Sequence, residues 1–207
     1  MLEDQDMSVQ EAAAVVQDAR ARARKELAIS PPLVYMAWGL VWLTGYGAMW
    51  LSVRGQHPYT GPSGVSIAAV FVLAGSAIAA VLVIASKAAA GIDGQSVRQR
   101  RIIGSTWATG YLILLITAPA VSSSVSARTL ALISFAGPVV LAGLTYILAA
   151  ALGRYRPALA LGAWLVIVGT SCAWLAPATI LATCALAGGG ALLLMAVIET
   201  RLRAHDS

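Results

Sequence analysis

Tyr35, Trp38, Trp42, Tyr46 and Trp50 recur at spacings of three, four, four and four residues. On an α-helix this places them within an arc of about 120°. Such a stripe can do one of two things. It can line a path for an aromatic or cationic solute through cation–π contact, or it can pack against a neighbouring helix or subunit. Tyr35 and Trp50 lie near the two ends of their apolar run, where an aromatic belt at membrane interfaces is expected. Trp42 and Tyr46 lie deeper. A deep Tyr hydroxyl needs a hydrogen-bond partner, so this face is expected to meet protein.

Hydroxyl groups form the second set. Thr44, Thr109, Tyr111, Ser134, Thr145 and Thr170 fall inside apolar runs and are candidates for a polar pathway lining. Pro138 follows Gly137 within another run. It has no N–H and clashes with the carbonyl four residues earlier, that of Ser134, so a kink is expected there. The kink serves either as a hinge or cavity wall, as in broken transporter helices, or as a static bend. Cys172 and Cys184 flank Pro177. They can pair, hold a soft metal, or act as small buried hydrophobes. Two thiols with no His or carboxylate beside them are an incomplete metal set.

The absences exclude more than the residues suggest. No Asp, Glu, Lys or Arg lies between Leu33 and Val53, Val65 and Ser86, Ile102 and Ala127, Thr129 and Gly153, or Ala158 and Ile198. His57 and His205 fall outside those runs. Intramembrane proton relays, haem ligation by His and charged substrate anchors are therefore not expected. Serine-protease chemistry lacks its base. Neither His-Glu-x-x-His nor a phosphate-binding Gly-x-x-x-x-Gly-Lys-Ser/Thr loop occurs. No catalytic residue, metal or cofactor is assigned, and an enzyme is not expected.

The elements that must carry these side chains are transmembrane helices. A bilayer core of about 30 Å needs roughly 20 apolar helical residues, and 59% of this chain is hydrophobic. The last charge-free run is long enough to cross twice. The expectation is an all-α bundle of six spans, at 33–53, 65–86, 102–121, 129–152, 158–176 and 178–199. Runs of this length without alternation exclude barrel strands. The chain divides into an N-terminal segment (1–32), the bundle (33–199) and a tail (200–207).

Charge sets the orientation. Arg20, Arg22, Arg24, Lys25, Lys87, Arg98, Arg100, Arg101, Arg154, Arg156, Arg201 and Arg203 fall on one side of the six spans; Arg54 and Arg128 fall on the other. By the positive-inside rule both termini are cytoplasmic. The net charge of +5 suits anionic headgroups, not nucleic acid. The acidic N-terminus, with Glu3, Asp4 and Asp6, does not read as a signal peptide, so the first span is expected to act as an uncleaved anchor. Ser8 and Glu11 have capping-box spacing ahead of a modestly amphipathic helix that ends at Ser30-Pro31-Pro32. Its cluster Arg20, Arg22, Arg24, Lys25, together with Arg98, Arg100 and Arg101 of the main internal loop, is a candidate contact for lipid or for a cytoplasmic partner.

Small residues four apart recur as Gly75/Ala79, Gly104/Ala108, Gly169/Ala173 and Ala185/Gly189, the pattern of close helix packing in a bundle or across a dimer. A short repeat is also visible. Trp42-Leu43-Thr44-Gly45-Tyr46 matches Trp107-Ala108-Thr109-Gly110-Tyr111, and three helical hairpins would account for it.

Glu11-Ala12-Ala13-Ala14 opening an Arg-rich helix, followed by Tyr35-x-x-Trp38-Gly39-Leu40-x-Trp42, resembles the start of small six-span membrane proteins of unassigned role in actinobacteria. The resemblance implies the span count and a bacterial inner membrane, and carries over no site residues. The sequence thus points to a non-enzymatic multi-pass protein, an accessory or assembly subunit or an anchor for a membrane or cytoplasmic partner or a second copy. The alternative is a small oligomeric permease or channel for a neutral or hydrophobic solute. Trp38, Trp42, Tyr46, Thr109, Tyr111, Ser134 and Pro138 are the candidate packing or pathway residues.

Overall fold

Long apolar runs without charge satisfy their backbone polar groups only within the segment, and the chain folds accordingly. The structure, a computed structural model, describes residues 31–89, 95–153 and 156–205. All regular structure among them is helical, with no strand. In chain order the helices are α1 (Pro31–Val53), α2 (Gly64–Ala89), α3 (Gln95–Val121), α4 (Ala127–Ala131), α5 (Gly137–Gly153), α6 (Arg156–Ser171), α7 (Pro177–Thr183) and α8 (Gly190–His205). A π-helical turn, Leu132–Ala136, joins α4 to α5, and a second, Cys184–Gly189, joins α7 to α8. A 3-10 turn, Cys172–Trp174, ends α6.

Four stretches are long and apolar enough to cross a membrane: Ile102–Val121, Ala127–Leu152, Arg156–Trp174 and Pro177–Ala204. In α2 the described apolar stretch is Gly64–Ala80. Helix α1 has 23 residues, but its three Trp and two Tyr bring polar N–H and O–H groups that lower its hydropathy. Several helices run beyond their apolar cores. Helix α3 begins at Gln95 and α8 continues to His205, because a helix entering polar surroundings keeps its backbone bonds after its apolar residues end. A π-helical turn lies directly before Gly137-Pro138, where the sequence predicts a kink. The segment with Arg20, Arg22, Arg24 and Lys25, for which the sequence predicts a helix, lies outside the described residues.

The core lies where α1, α5, α6, the second π turn and α8 meet. Its fully buried side chains include Val53, Val139, Leu165, Ile180, Leu181 and Leu192. Packing is closest at glycines. Gly143 of α5 and Gly162 of α6 set backbone against backbone. A Cβ at 143 would lie 2.7 Å from the Gly162 carbonyl, and one at 162 equally close to the Gly143 carbonyl. Two turns along α6, a Cβ at Gly169 would meet Val140 Cγ2 at 2.5 Å. Helices α1 and α8 meet in the same way. A Cβ at Gly189 would stand 2.8 Å from the Leu43 amide nitrogen, and one at Gly39 2.8 Å from the Leu193 side chain.

Helices α2 and α3 are peripheral. Helix α2 packs mainly on α1, and α3 on α5 and the first π turn. No residue of Ile102–Val121 is buried. The small-residue pairs therefore divide. Gly169 and Ala185/Gly189 are used inside the bundle, whereas Gly75, Ala79, Gly104 and Ala108 are exposed, with nothing within 4 Å of a Cβ at either glycine.

The connections at one end are built by short-range hydrogen bonds. The Gln56 amide nitrogen donates to the carbonyls of Ser52 and Gly61, and its oxygen accepts from the Thr60 N–H and hydroxyl. Gly55 and Gly61 have φ of 85° and 99°, left-handed conformations that glycine adopts without a Cβ clash. Arg54 stands over the Trp50 ring. Arg128 reaches across to the Ala173 carbonyl, tying the first turn of α4 to the 3-10 turn that ends α6. The two Arg residues that the sequence sets apart from the other twelve cations thus share this end.

Candidate functional site

A helix that widens into a π turn puts its carbonyls out of register with the following amides. The first π turn is followed by Pro138, which supplies no amide at all. The Phe135 carbonyl of that turn accepts two side-chain donors from elsewhere in the bundle. The Tyr46 hydroxyl donates at 3.1 Å from α1, and the Cys184 thiol lies 3.7 Å away on the second π turn. The second π turn is held in a similar way. The Trp164 indole N–H of α6 donates to the Ala187 carbonyl at 3.0 Å. Gly188 leaves room for the face of Trp42, where a Cβ would meet the indole at 3.1 Å. One node therefore joins α1 to both irregular turns.

Aromatic rings extend from this node. Trp42 meets Tyr46 edge-on at 5.9 Å. Trp38 meets Trp107 at 5.3 Å, and Trp107 meets Tyr111 at 4.7 Å. These distances fall in the range of favourable ring pairs. The indole of Trp38 spans the space between α1 and α3. Both copies of the Trp-x-Thr-Gly-Tyr pattern work alike here. In each, Trp and Tyr pair on one face, and the glycine admits a side chain from another helix: Val70 at Gly45, and Leu141 at Gly110.

Of the residues singled out from sequence, Trp38, Trp42, Tyr46 and Tyr111 come together with Trp107. Pro138 is buried beside them and Ser134 is half-buried in the π turn. Thr109 is exposed on α3 and does not join the cluster. Thr44 and Thr170 are exposed as well, and their hydroxyls bond the carbonyls of Leu40 and Val166 in their own helices. Thr145 does the same to Leu141. A hydroxyl spent on its own helix is a poor lining for a polar path. Arg98, Arg100 and Arg101 fall in the first two turns of α3. Cys172 and Cys184 are free thiols with no exposed surface, and they donate to the carbonyls of Val168 and Phe135. Among the described residues no group of three His, Cys, Asp or Glu is placed to hold a metal.

One residue escaped the sequence reading. Glu199 closes the sixth expected span, just past the last charge-free run, and no role was read for it; it is only 5% exposed. The signal was its spacing. Leu192, Met195, Ala196 and Glu199 fall at i, i+3, i+4 and i+7, one face of a helix, and the other three belong to the core. No family model, no curated protein and no solved structure matches the chain.

Proposed function

We propose that this chain is a six-span protein of a bacterial cytoplasmic membrane, with both termini inside, that acts without catalysis as an accessory or assembly subunit for a protein partner. The observation that carries this reading is the division of small residues. The bundle uses Gly143, Gly162, Gly169 and Gly189 to seat its own helices. Gly75, Ala79, Gly104 and Ala108 are left facing outward on α2 and α3. In lipid, where apolar surface alone drives no association, such faces are the ones that let another helix approach closely. The alternation of basic connections and the shared end of Arg54 and Arg128 support the orientation. Basic residues on the inner side suit anionic headgroups or a cytoplasmic partner.

A second reading, a small permease for a neutral or hydrophobic solute, is favoured by the aromatic cluster against two π turns, since π turns recur at functional sites. The hydroxyls bonded within their own helices weigh against it.

Capture of the tagged full chain after gentle solubilisation is expected to recover a stoichiometric partner, either another membrane protein or a second copy. Replacing Gly104 and Ala108 together by Leu is expected to abolish that recovery while leaving the chain folded. Recovery of the chain alone across several detergents contradicts the reading.

A further inference from the structure

A carboxylate taken out of water is costly unless it is paired and hydrogen-bonded. Glu199 is buried on α8, and its Oε1 has no hydrogen-bond partner. Among the described residues, Arg203 Nε stands 3.8 Å from its Oε2, on a side chain that is 49% exposed. An i,i+4 pair at that distance with a half-solvated Arg contributes little and leaves Oε1 uncompensated. The surroundings are aromatic. Helices α1 and α8 run antiparallel, with Gly39 against Leu193 and Gly189 against Leu43, so the buried Tyr35, one turn before Gly39, falls on the stretch of α8 that carries Glu199; its ring meets that of Tyr146 of α5 at 5.6 Å. Three helices thus present one carboxylate oxygen and two phenol rings at the end of the bundle opposite Arg54 and Arg128.

The chemistry selects a ligand class. A carboxylate with no compensating donor repels anions. A divalent metal needs several oxygen ligands, and no three candidate ligands are grouped among the described residues. An ammonium group satisfies both features, because its N–H donates to a carboxylate oxygen and its charge is attracted to ring faces. An ionisable residue at membrane depth is a functional site by default, its partner being the thing to name.

We propose that Glu199, with Tyr35 and Tyr146, forms a binding site for a singly charged organic ammonium group at the inner end of the bundle, where Arg203 competes weakly for the same carboxylate. This goes beyond the accessory role and does not depend on it.

The test uses the full chain in lipid nanodiscs, with butylammonium as the probe and intrinsic fluorescence and thermal unfolding as readouts. Wild type is expected to show a saturable response. Glu199→Gln keeps the side-chain shape and removes the unpaired charge, so it folds; its apparent affinity is expected to fall by about 30-fold or more. Arg203→Ala removes the competitor and is expected to tighten binding. Two results overturn the proposal: no saturable response in wild type, or the same response in wild type and Glu199→Gln. Partner capture by Glu199→Gln is expected to match wild type, which separates a failure here from a failure of the accessory role.

Discussion

Replacing Gly143 by Val is expected to cost the bundle about 3 kcal/mol or more, at the upper end of overpacking penalties. The added Cβ would meet the Gly162 carbonyl at 2.7 Å, Val166 Cγ2 at 2.8 Å and the Val166 amide nitrogen at 2.9 Å. Two of those three atoms are backbone, so no rotamer change relieves the contact. Helices α5 and α6 must move apart, and the loss then spreads along their whole shared face. Gly162→Val is expected to act equally, because its contacts with the Gly143 carbonyl and the Ile147 nitrogen mirror the first set. Gly75→Val and Gly104→Val meet nothing within 4 Å and are expected to stay within about 0.5 kcal/mol of wild type. Unfolding in mixed micelles by increasing SDS measures all four. Equal losses at the inner and outer positions would contradict the packing described.

Trp42→Ala is expected to have the second largest effect, about 3 kcal/mol. The indole is 5% exposed, lies under Gly188 of the second π turn and meets the Tyr46 ring. In a soluble core, removing it would forfeit the transfer of apolar surface from water as well as its contacts. In a bilayer the unpacked side chain still lies among apolar chains, so the loss is mainly one of packing. That keeps the estimate below the top of the soluble range. The damage is also local. Without the indole, Tyr46 loses its neighbour, and its bond to the Phe135 carbonyl loosens. Amide exchange should therefore rise first in the two π turns. Trp174→Ala, at a residue 80% exposed, is expected to change neither stability nor exchange. The same unfolding assay with hydrogen exchange reads both.

The contrast between these sites shows how much was legible beforehand. Helix runs could be read because charge is excluded from them, and the inward aromatic face of α1 because its spacing repeats. The Gly169 and Gly189 contacts followed from small residues four apart. The same pattern at Gly75 and Gly104 carried no sign of pointing outward, since sequence periodicity does not say which neighbour a face meets. The π turns left no trace, because one inserted residue leaves composition and hydropathy unchanged. Gly143 against Gly162 is a pairing between two helices, visible only once they are set side by side. Thr44, Thr145 and Thr170 read as polar lining because a hydroxyl in an apolar run stands out, but the adjacent carbonyl of the same helix takes the bond. Glu199 was read only as the boundary of the sixth span, because a charge ended the apolar run. It lies on the inward face of a helix that continues past it to His205, so a hydropathy boundary is not a burial boundary.

The central claim is that the outer faces of α2 and α3 hold a partner. It is tested most directly by a photo-crosslinking residue placed at position 108, on the exposed small-residue face of α3, and separately at position 167. Ile167 is 60% exposed on α6, a large side chain one turn from the exposed Trp164. In intact membranes, position 108 is expected to give a discrete protein adduct, with lipid or no adduct from position 167. No protein adduct at 108, or the same adducts from both positions, would contradict the claim.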